Sequence, residues 1–298
     1  MRPVHHSLLQ RDIVVNEILC GNFAGRPSLF EPSQTIRVIN WNINRGLRLT
    51  EILEFLKSQS PDLLILQEVD LNAHRTRYLN VAEELARNLA MNYAFGREFQ
   101  ELAEGSRAAA AYHGQATLSR WDVVNPRVLR FRRQSNFWRP RWFVPSTKPF
   151  QKRLGGRIAL VTDIGLTPTR LTVYNVHLES RGNNDLRRSQ LQEILENATK
   201  SSTQGPCIVA GDLNFDVSSG GALCAIEGVG FRSVLGTRRP HTTAGNGMFW
   251  RPRAIDWTFV SGPLEVASAR VHSDVDASDH YPISVTLRVS RSTHQIGA

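Results

Sequence analysis

Short apolar runs separated by turn-forming residues dominate the chain and predict more strands than helices. Apolar residues at helical spacing occur in three segments, around 52–56, 81–89 and 191–198, and each predicted helix lies between strands. Thr50 is expected to cap the first helix, and Pro61 to interrupt the chain before the next strand. The predicted strands are, in order, IRVINWNI, DLLILQEVD, GQATLSR, RIALVTDI, RLTVYNVHLE, PCIVAGDLNF, AIDWTFVS and YPISVTLRV.

This order of elements favours two sheets packed face to face with helices on the outside. A single doubly wound sheet would need a helix after nearly every strand, and the chain has too few helices for that. Residues 1–34 show weak periodicity and are expected to form an N-terminal extension, and residues 291–298 a polar tail.

Composition excludes several classes of protein. The 41% hydrophobic content is that of a globular chain rather than a disordered or fibrous one. No apolar run approaches the roughly 18 residues that cross a bilayer, and Arg11 and Asp12 interrupt the position of a secretory signal. We therefore expect a soluble, cytoplasmic protein. Cys20, Cys207 and Cys224 are an odd, widely spaced set that indicates neither a disulfide framework nor a zinc site.

The net charge of +9 comes from one stretch, the basic aromatic segment at residues 127–153. It contains nine of the 36 Lys and Arg residues and no acid, so the rest of the chain has 27 of each sign. Cations beside aromatic rings suit nucleic-acid binding, an anionic membrane surface, or a solvated loop whose rings pack on the protein. The interleaved aromatic residues are Phe131, Phe137, Trp138, Trp142, Phe143 and Phe150.

Polar side chains cluster at the ends of the predicted strands. Singly, each is explained as a turn residue or a structural histidine. If the strand ends converge, Glu68, Asp279 and Asn42 or Asn44 offer oxygen ligands for Mg²⁺ or Mn²⁺, and two histidines remain for proton or phosphate chemistry. The clustered residues are Asn42, Asn44, Glu68, His177, Glu179, Asp212, Asn214, Asp256, Asp279 and His280.

Eight blocks along residues 36–289 resemble the endonuclease/exonuclease/phosphatase superfamily, which includes deoxyribonuclease I, apurinic endonucleases, neutral sphingomyelinases and inositol polyphosphate phosphatases. The resemblance implies a four-layered α/β sandwich with two central, mainly antiparallel sheets flanked by helices, and a single domain over residues 35–290. The blocks are INWNINRG, DLLILQEVD, GQATLSR, GGRIAL, VYNVHLES, IVAGDLNFD, AIDWTFV and SDHYPIS.

The resemblance also implies roles for individual residues. Glu68, Asn42 and Asp279 correspond to the metal site, and His177 to the histidine that stabilises charge on the scissile phosphate. Asp212 and Asn214 correspond to the pair that orients or activates water and grips the phosphate. Asp256 corresponds to the carboxylate that holds His280, the expected general base, although Asp212 is the alternative base.

Further residues are candidates for binding substrate. Arg75 and Arg77 follow the expected metal ligand Glu68 closely, where they would meet a second phosphate or remain solvated, and Arg157 in GGRIAL has the same two interpretations. Within the basic aromatic segment the candidates are Trp138, Arg139, Arg141 and Trp142. Asn44 stands where apurinic endonucleases have an aspartate.

Three hypotheses remain open on the sequence. The favoured one is an Mg²⁺- or Mn²⁺-dependent phosphodiesterase that cuts nucleic acid, with the basic aromatic segment as a substrate clamp. The alternative is a phospholipid or sphingomyelin phosphodiesterase, or a phosphomonoesterase, with a membrane or anionic lipid as partner. The third is a non-catalytic binding module, which the complete set of expected catalytic residues disfavours. No obligate protein partner is predicted.

Overall fold

Two β-sheets form the centre of the molecule. The computed structural model describes residues 18–25, 35–138, 153–167, 169–202, 205–219, 221–245 and 251–289. Within them, the first sheet contains β1 (Ile18–Gly21), β2 (Thr35–Arg45), β3 (Leu63–Leu71), β4 (Asn92–Glu101), β5 (Ala111–Ser119), β7 (Arg153–Gly155), β13 (Leu264–Val271) and β14 (Ile283–Val289). The second contains β6 (Val123–Arg130), β8 (Ile158–Leu166), β9 (Thr169–His177), β10 (Cys207–Asp212), β11 (Arg232–Ser233) and β12 (Asp256–Ser261).

Most neighbouring strands in both sheets are antiparallel. The first sheet has the order β1-β4-β5-β3-β2-β14-β13, with β7 also paired to β4, and the second has the order β11-β12-β10-β9-β8-β6. The two parallel pairs are β2 with β3 and β9 with β10. Because parallel strands end at the same edge, each sheet presents two strand ends side by side.

In the described part of the chain, four α-helices cover the outer faces of the two sheets. α1 (Leu49–Gln59) and α2 (Val81–Leu89) share an apolar cluster with the first sheet. α3 (Asn184–Ser202) and α4 (Ala222–Gly228) share one with the second sheet. A third cluster, which includes Ile36 and Ile208, fills the space between the sheets. The expected four-layered α/β sandwich is confirmed, and no helix within the described ranges is long and apolar enough to cross a membrane.

The eight predicted strands and three predicted helices are all present, with shifted ends. β1, which pairs with β4, lies inside the stretch expected to be an extension. The expected cap at Thr50 is wrong, because α1 begins at Leu49 after Arg48 and no side chain caps it. The pattern missed β4, where buried Glu98 interrupts the apolar residues, and β13, whose residues are largely exposed or half-buried. It also missed β6, which includes the first four residues of the basic aromatic segment, and the short elements β7, β11 and α4.

Candidate active site

Three side chains of the second sheet lie in one row across β9, β10 and β12. Asp212 is the register partner of both His177 on β9 and Asp256 on β12. Register partners point to the same face, so the three buried side chains project together. Gly211 allows this close approach, because it has φ 148° and a Cβ there would lie 1.8 Å from the Val176 carbonyl oxygen.

His280 joins this row from the loop that precedes β14. Its Nδ1 lies 2.8 and 3.0 Å from the carboxylate oxygens of Asp256, and its Nε2 lies 3.8 Å from Asp212 Oδ2. The Asp256 carboxylate also accepts a 2.6 Å hydrogen bond from Thr242 Oγ1. Trp41 Nε1 donates to the His280 carbonyl oxygen at 2.8 Å, which ties the loop to β2. The imidazole is therefore held at both its ring and its backbone.

Asp212 lies at the centre of the cluster. Its Oδ2 accepts a hydrogen bond from Asn42 Nδ2 at 3.2 Å and lies 3.5 Å from His177 Nε2. Its Oδ1 accepts the backbone N–H of Asn214 at 2.8 Å, and the Asn214 side chain donates to the Leu178 carbonyl oxygen. The structure thus brings the five expected catalytic residues together, with Asn42 linking them to the first sheet.

Bulges at the carboxyl ends of β2 and β3 position Glu68 and Asn44. The pairing shifts after Asn42 in β2 and after Leu66 in β3, and Glu68 and Asn44 have φ values of 51° and 43°. Bulges and left-handed backbone at such positions redirect side chains and are common next to active sites. Arg45 lies 3.4 Å from Glu68 Oε2 and also donates to Asn44 Oδ1.

Asp279 lies at the same edge of the first sheet as Glu68. β14 runs antiparallel to β2, so the residues before β14 adjoin the carboxyl end of β2. Ser278 Oγ donates to the Asn42 carbonyl oxygen at 2.7 Å, and Asp279 beside it is exposed. The three expected metal-binding residues therefore belong to neighbouring strand ends.

Burial and mutual charge shift the pKa values of the site in opposite directions. Burial, and after it the charge of Asp256, raises the pKa of Asp212 to about 7. Burial disfavours the charged form of His280, but Asp256 and Asp212 outweigh it and raise its pKa to about 10. Burial and the nearby Arg157 lower the pKa of His177 well below its usual value. In the protein without metal, these directions favour the protonated form of His280 and the neutral form of His177.

A buried carboxylate that the sequence analysis missed, Glu98, adjoins His177. It is the extra residue of a bulge in β4, and its Oε2 lies 4.0 Å from His177 Nδ1. Arg157 Nη1 contacts Glu98 Oε1 at 3.1 Å, and Arg157 Nη2 donates to Ser180 Oγ at 3.1 Å. Burial raises the pKa of Glu98 to about 7, although Arg157 opposes it. No local sequence motif marks Glu98, because its partners come from β9 and from the loop before β8.

A layer of buried amides joins the two sheets directly beneath the site. Gln67 Nε2 donates to Asn175 Oδ1 at 2.8 Å and to Asn40 Oδ1 at 3.1 Å. Asn175 Nδ2 donates to backbone carbonyl oxygens of Leu66 and Ala116, both at 3.0 Å. Asn175 precedes His177 by two residues, so it points to the same face one step further into the sandwich. These amides fix the spacing of the sheets on which the site is built.

A family model, described as the endonuclease/exonuclease/phosphatase family, matches residues 39–280. The chain belongs to this family. The match spans every strand end that contributes to the site, from Asn42 to His280. Members of the family are divalent-metal-dependent hydrolases of phosphoesters, so the chain is a phosphoesterase of this superfamily. No match is found among curated proteins.

Solved structures support the same fold. An endonuclease/exonuclease/phosphatase from Beutenbergia cavernae has 20% identity and a TM-score of 0.62, over 86% of this chain and 72% of its own. One from Bacteroides vulgatus has 18% identity and a TM-score of 0.61, over 86% and 100%. D. rerio TDP2 complexed with single strand DNA product has 17% identity and a TM-score of 0.58, over 85% and 99%.

The residues at the edge of the first sheet fit the divalent metal of this family. Burial disfavours ionised Glu68, but surrounding cationic groups, including Arg45, outweigh it and hold its pKa below the usual range. Glu68, Asn42 and Asp279 offer only oxygen donors, which suit Mg²⁺ or Mn²⁺. Within the described ranges, Asp212, Asp256 and His280 also offer ligand atoms within 4.8 Å of one another.

The structure places the expected substrate contacts in different surroundings. Arg75 binds Asp70 through two hydrogen bonds of 2.6 and 2.7 Å, and its side chain is 20% exposed. Arg77 is exposed, whereas Arg157 is buried against Glu98. Trp138 is also buried, and its Nε1 donates to the Glu179 carboxylate at 3.0 Å. The other three expected contacts, Arg139, Arg141 and Trp142, lie outside the described residues.

Proposed function

We propose that the chain is an Mg²⁺- or Mn²⁺-dependent phosphodiesterase that hydrolyses nucleic acid. The observation that carries the proposal is the convergence of His177, Asp212, Asp256 and His280. The carboxylate of Glu68 is close enough to this cluster to interact with the charge of His177. This arrangement combines a buried base, a fixed histidine and an ionised oxygen ligand, which together serve the hydrolysis of a phosphate ester.

The metal would be held by Glu68 and Asp279, with Asn42 as a further oxygen donor. When bound, it supplies Lewis-acid polarisation of a phosphate oxygen. Asp212 accepts the proton of the attacking water, because its pKa of about 7 leaves much of it ionised at neutral pH. Asn42 Nδ2 holds the Asp212 carboxylate in place during this transfer.

The two histidines stabilise the charge that develops on the phosphate. His280, held protonated by Asp256, directs Nε2 towards the space beside Asp212. His177 is neutral and donates one ring N–H. This assignment favours Asp212 as the base over His280, because an imidazolium that is protonated on both ring nitrogens has no free nitrogen to accept a proton.

Charge supports nucleic acid as the substrate. The net charge is +9, and the basic aromatic segment contains the whole excess. Within the described residues, Trp138 inside the segment contacts Glu179, and Arg153, the last residue of the segment, contacts Glu101 on β4. Both anchors therefore adjoin elements of the site. One fold neighbour, D. rerio TDP2, was solved with a single strand DNA product.

The decisive experiment compares hydrolysis of supercoiled plasmid, single-stranded DNA, RNA and sphingomyelin vesicles, with Mg²⁺ or Mn²⁺ and with chelator. We expect cleavage of nucleic acid that chelator abolishes and that His280→Ala lacks. Release from sphingomyelin alone would move the substrate to lipid. No metal-dependent hydrolysis of any of the four would contradict the proposal.

Salt dependence tests the role of the basic aromatic segment separately. Each phosphate contact contributes about one to the slope of log K against log salt. Replacing Arg139 and Arg141 by Ser is therefore expected to reduce the slope by up to about two. An unchanged slope would contradict the role of these two residues as a clamp.

A further inference from the structure

Phe137 is an exposed aromatic side chain that the proposed chemistry does not use. It lies in the short 3₁₀ helix Asn136–Trp138, and 49% of its surface is exposed. The guanidinium of Arg181 lies 4.9 Å from the centre of its ring. Trp138, which is buried, meets the same ring edge to face at a centroid distance of 4.7 Å. The ring is thus supported from the protein side and still half open to solvent.

The two residues whose side chains contact the Phe137 ring, Arg181 and Trp138, are both hydrogen-bonded to Glu179 at the end of β9, close to His177. Arg181 N donates to Glu179 Oε1 at 2.8 Å, and Trp138 Nε1 donates to both oxygens of the same carboxylate. Arg181 is four residues after His177 in the sequence, so their Cα atoms are at most about 14 Å apart. A strand of nucleic acid bound at His177 therefore passes Phe137 within a few nucleotides.

Two arginines, Arg181 and Arg187, lie at the end of β9, where Glu179 is an acidic neighbour. Arg181 is exposed, and its guanidinium makes no ion pair among the residues that the structure describes. Arg187 lies on the same rim, where it donates to the carbonyl oxygens of Glu179 and Ser180. A ring and a guanidinium together offer a stacking surface for a base, and the cations nearby attract its phosphates.

We infer that Phe137 and Arg181 form a stacking platform for an unpaired base, which makes the site selective for single-stranded over duplex nucleic acid. The inference rests on the proposed function for its substrate class. Bases inside a duplex are stacked on each other on both faces, so the platform reaches only single-stranded or unpaired nucleotides.

Fluorescence anisotropy with chelator present tests the inference without turnover. The probes are a labelled single-stranded DNA 12-mer, its blunt duplex, and the same strand with abasic sites. We expect Phe137→Ala to weaken binding of the single strand roughly 5- to 100-fold, the effect of losing one stacked base. The affinity of Phe137→Ala for the duplex and for the abasic strand should fall much less.

Matched variants separate stacking from packing and from charge. Phe137→Leu keeps an apolar side chain against Trp138 but has no ring, and should behave like Phe137→Ala. Phe137→Tyr keeps the ring and should restore binding. Arg170→Ala is the control for charge, because it removes an exposed arginine from the far end of β9. It should have a small effect of similar size on the affinities for single strand and duplex.

The outcomes distinguish the two proposals. The platform is refuted if Phe137→Ala and Phe137→Leu bind the single strand as tightly as the wild type does. It is also refuted if these variants lose as much affinity for the abasic strand as for the intact single strand. If the wild type does not bind single-stranded DNA, it is refuted as well. Binding with the expected pattern, combined with no metal-dependent cleavage, would leave the platform in place and contradict the proposed hydrolysis.

Discussion

Glu98→Gln tests whether burial keeps a carboxyl group protonated beside His177. Glu98 is fully buried, its Oε2 has no hydrogen-bond partner among the described residues, and burial raises its pKa from 4.5 to about 7. The folded protein therefore holds this proton more tightly than the unfolded chain does. Glutamine has nearly the same shape and cannot ionise.

The sign and size of the effect follow from this difference. Between pH 4.5 and 7 the folded state binds more protons than the unfolded state, so the free energy of unfolding falls as pH rises. The full pKa difference of 2.5 units corresponds to a loss of about 3 kcal/mol in the free energy of unfolding. About 2 kcal/mol of this loss occurs between pH 5 and pH 7.5. Glu98→Gln lacks this loss. Between pH 5 and pH 7.5, its free energy of unfolding should therefore rise by about 2 kcal/mol relative to that of the wild type.

Urea denaturation at both pH values, with chelator present, measures the effect. The comparison uses the change in the mutant-minus-wild-type difference, so the altered contact with Arg157, present at both pH values, largely cancels. The control is Glu54→Gln, which removes an exposed carboxylate from α1. Its free energy of unfolding should stay within about 0.5 kcal/mol of the wild-type value at both pH values. A Glu98→Gln difference that does not change with pH would show that Glu98 is ionised in the folded protein and would refute the reasoning from burial.

Three further predictions concern the site. Asp256→Asn should lower kcat about 10²- to 10⁴-fold with little change in KM, because the amide no longer fixes the His280 tautomer or charge; a normal kcat in steady-state assays would remove Asp256 from the mechanism. Glu68→Gln should raise the Mg²⁺ concentration for half-maximal activity by about 10-fold or more, read from a metal titration, whereas an unshifted midpoint would exclude Glu68 as a ligand. Asn175→Leu should reduce the free energy of unfolding by roughly 2–4 kcal/mol in urea denaturation, because Gln67 and two carbonyl oxygens lose their partner; a loss below 1 kcal/mol would show that the amide layer contributes little.

Much of the site was predictable because its residues stand in short local motifs at strand ends. Asp212 and Asn214 occur in GDLN, and Asp279 and His280 in SDHYP. Apolar runs reveal the strands that precede or follow such residues, and alternation of side chains then indicates which positions share a face. The resemblance to a known family added the roles, and the family match from residue 39 to 280 confirms the membership.

Other features depend on contacts between distant parts of the chain. Glu98 becomes a neighbour of His177 only through a bulge in β4 and through Arg157 on the loop before β8. The buried environment of Trp138 depends on Glu179, which is 41 residues away. Sequence patterns report how apolar or polar a position is, but not which polar group it will meet.

The amino-acid sequence was enough to predict the strand-rich architecture, the excess positive charge and most of the residues that stand at the strand ends. These properties follow from local periodicity, composition and motifs. Only the packed fold sets the strand register that aligns His177, Asp212 and Asp256, the bulges that redirect Glu68 and Glu98, and the raised pKa values of Asp212 and His280. Burial and distance between charges set these pKa values, and both arise when separate strands pack against each other.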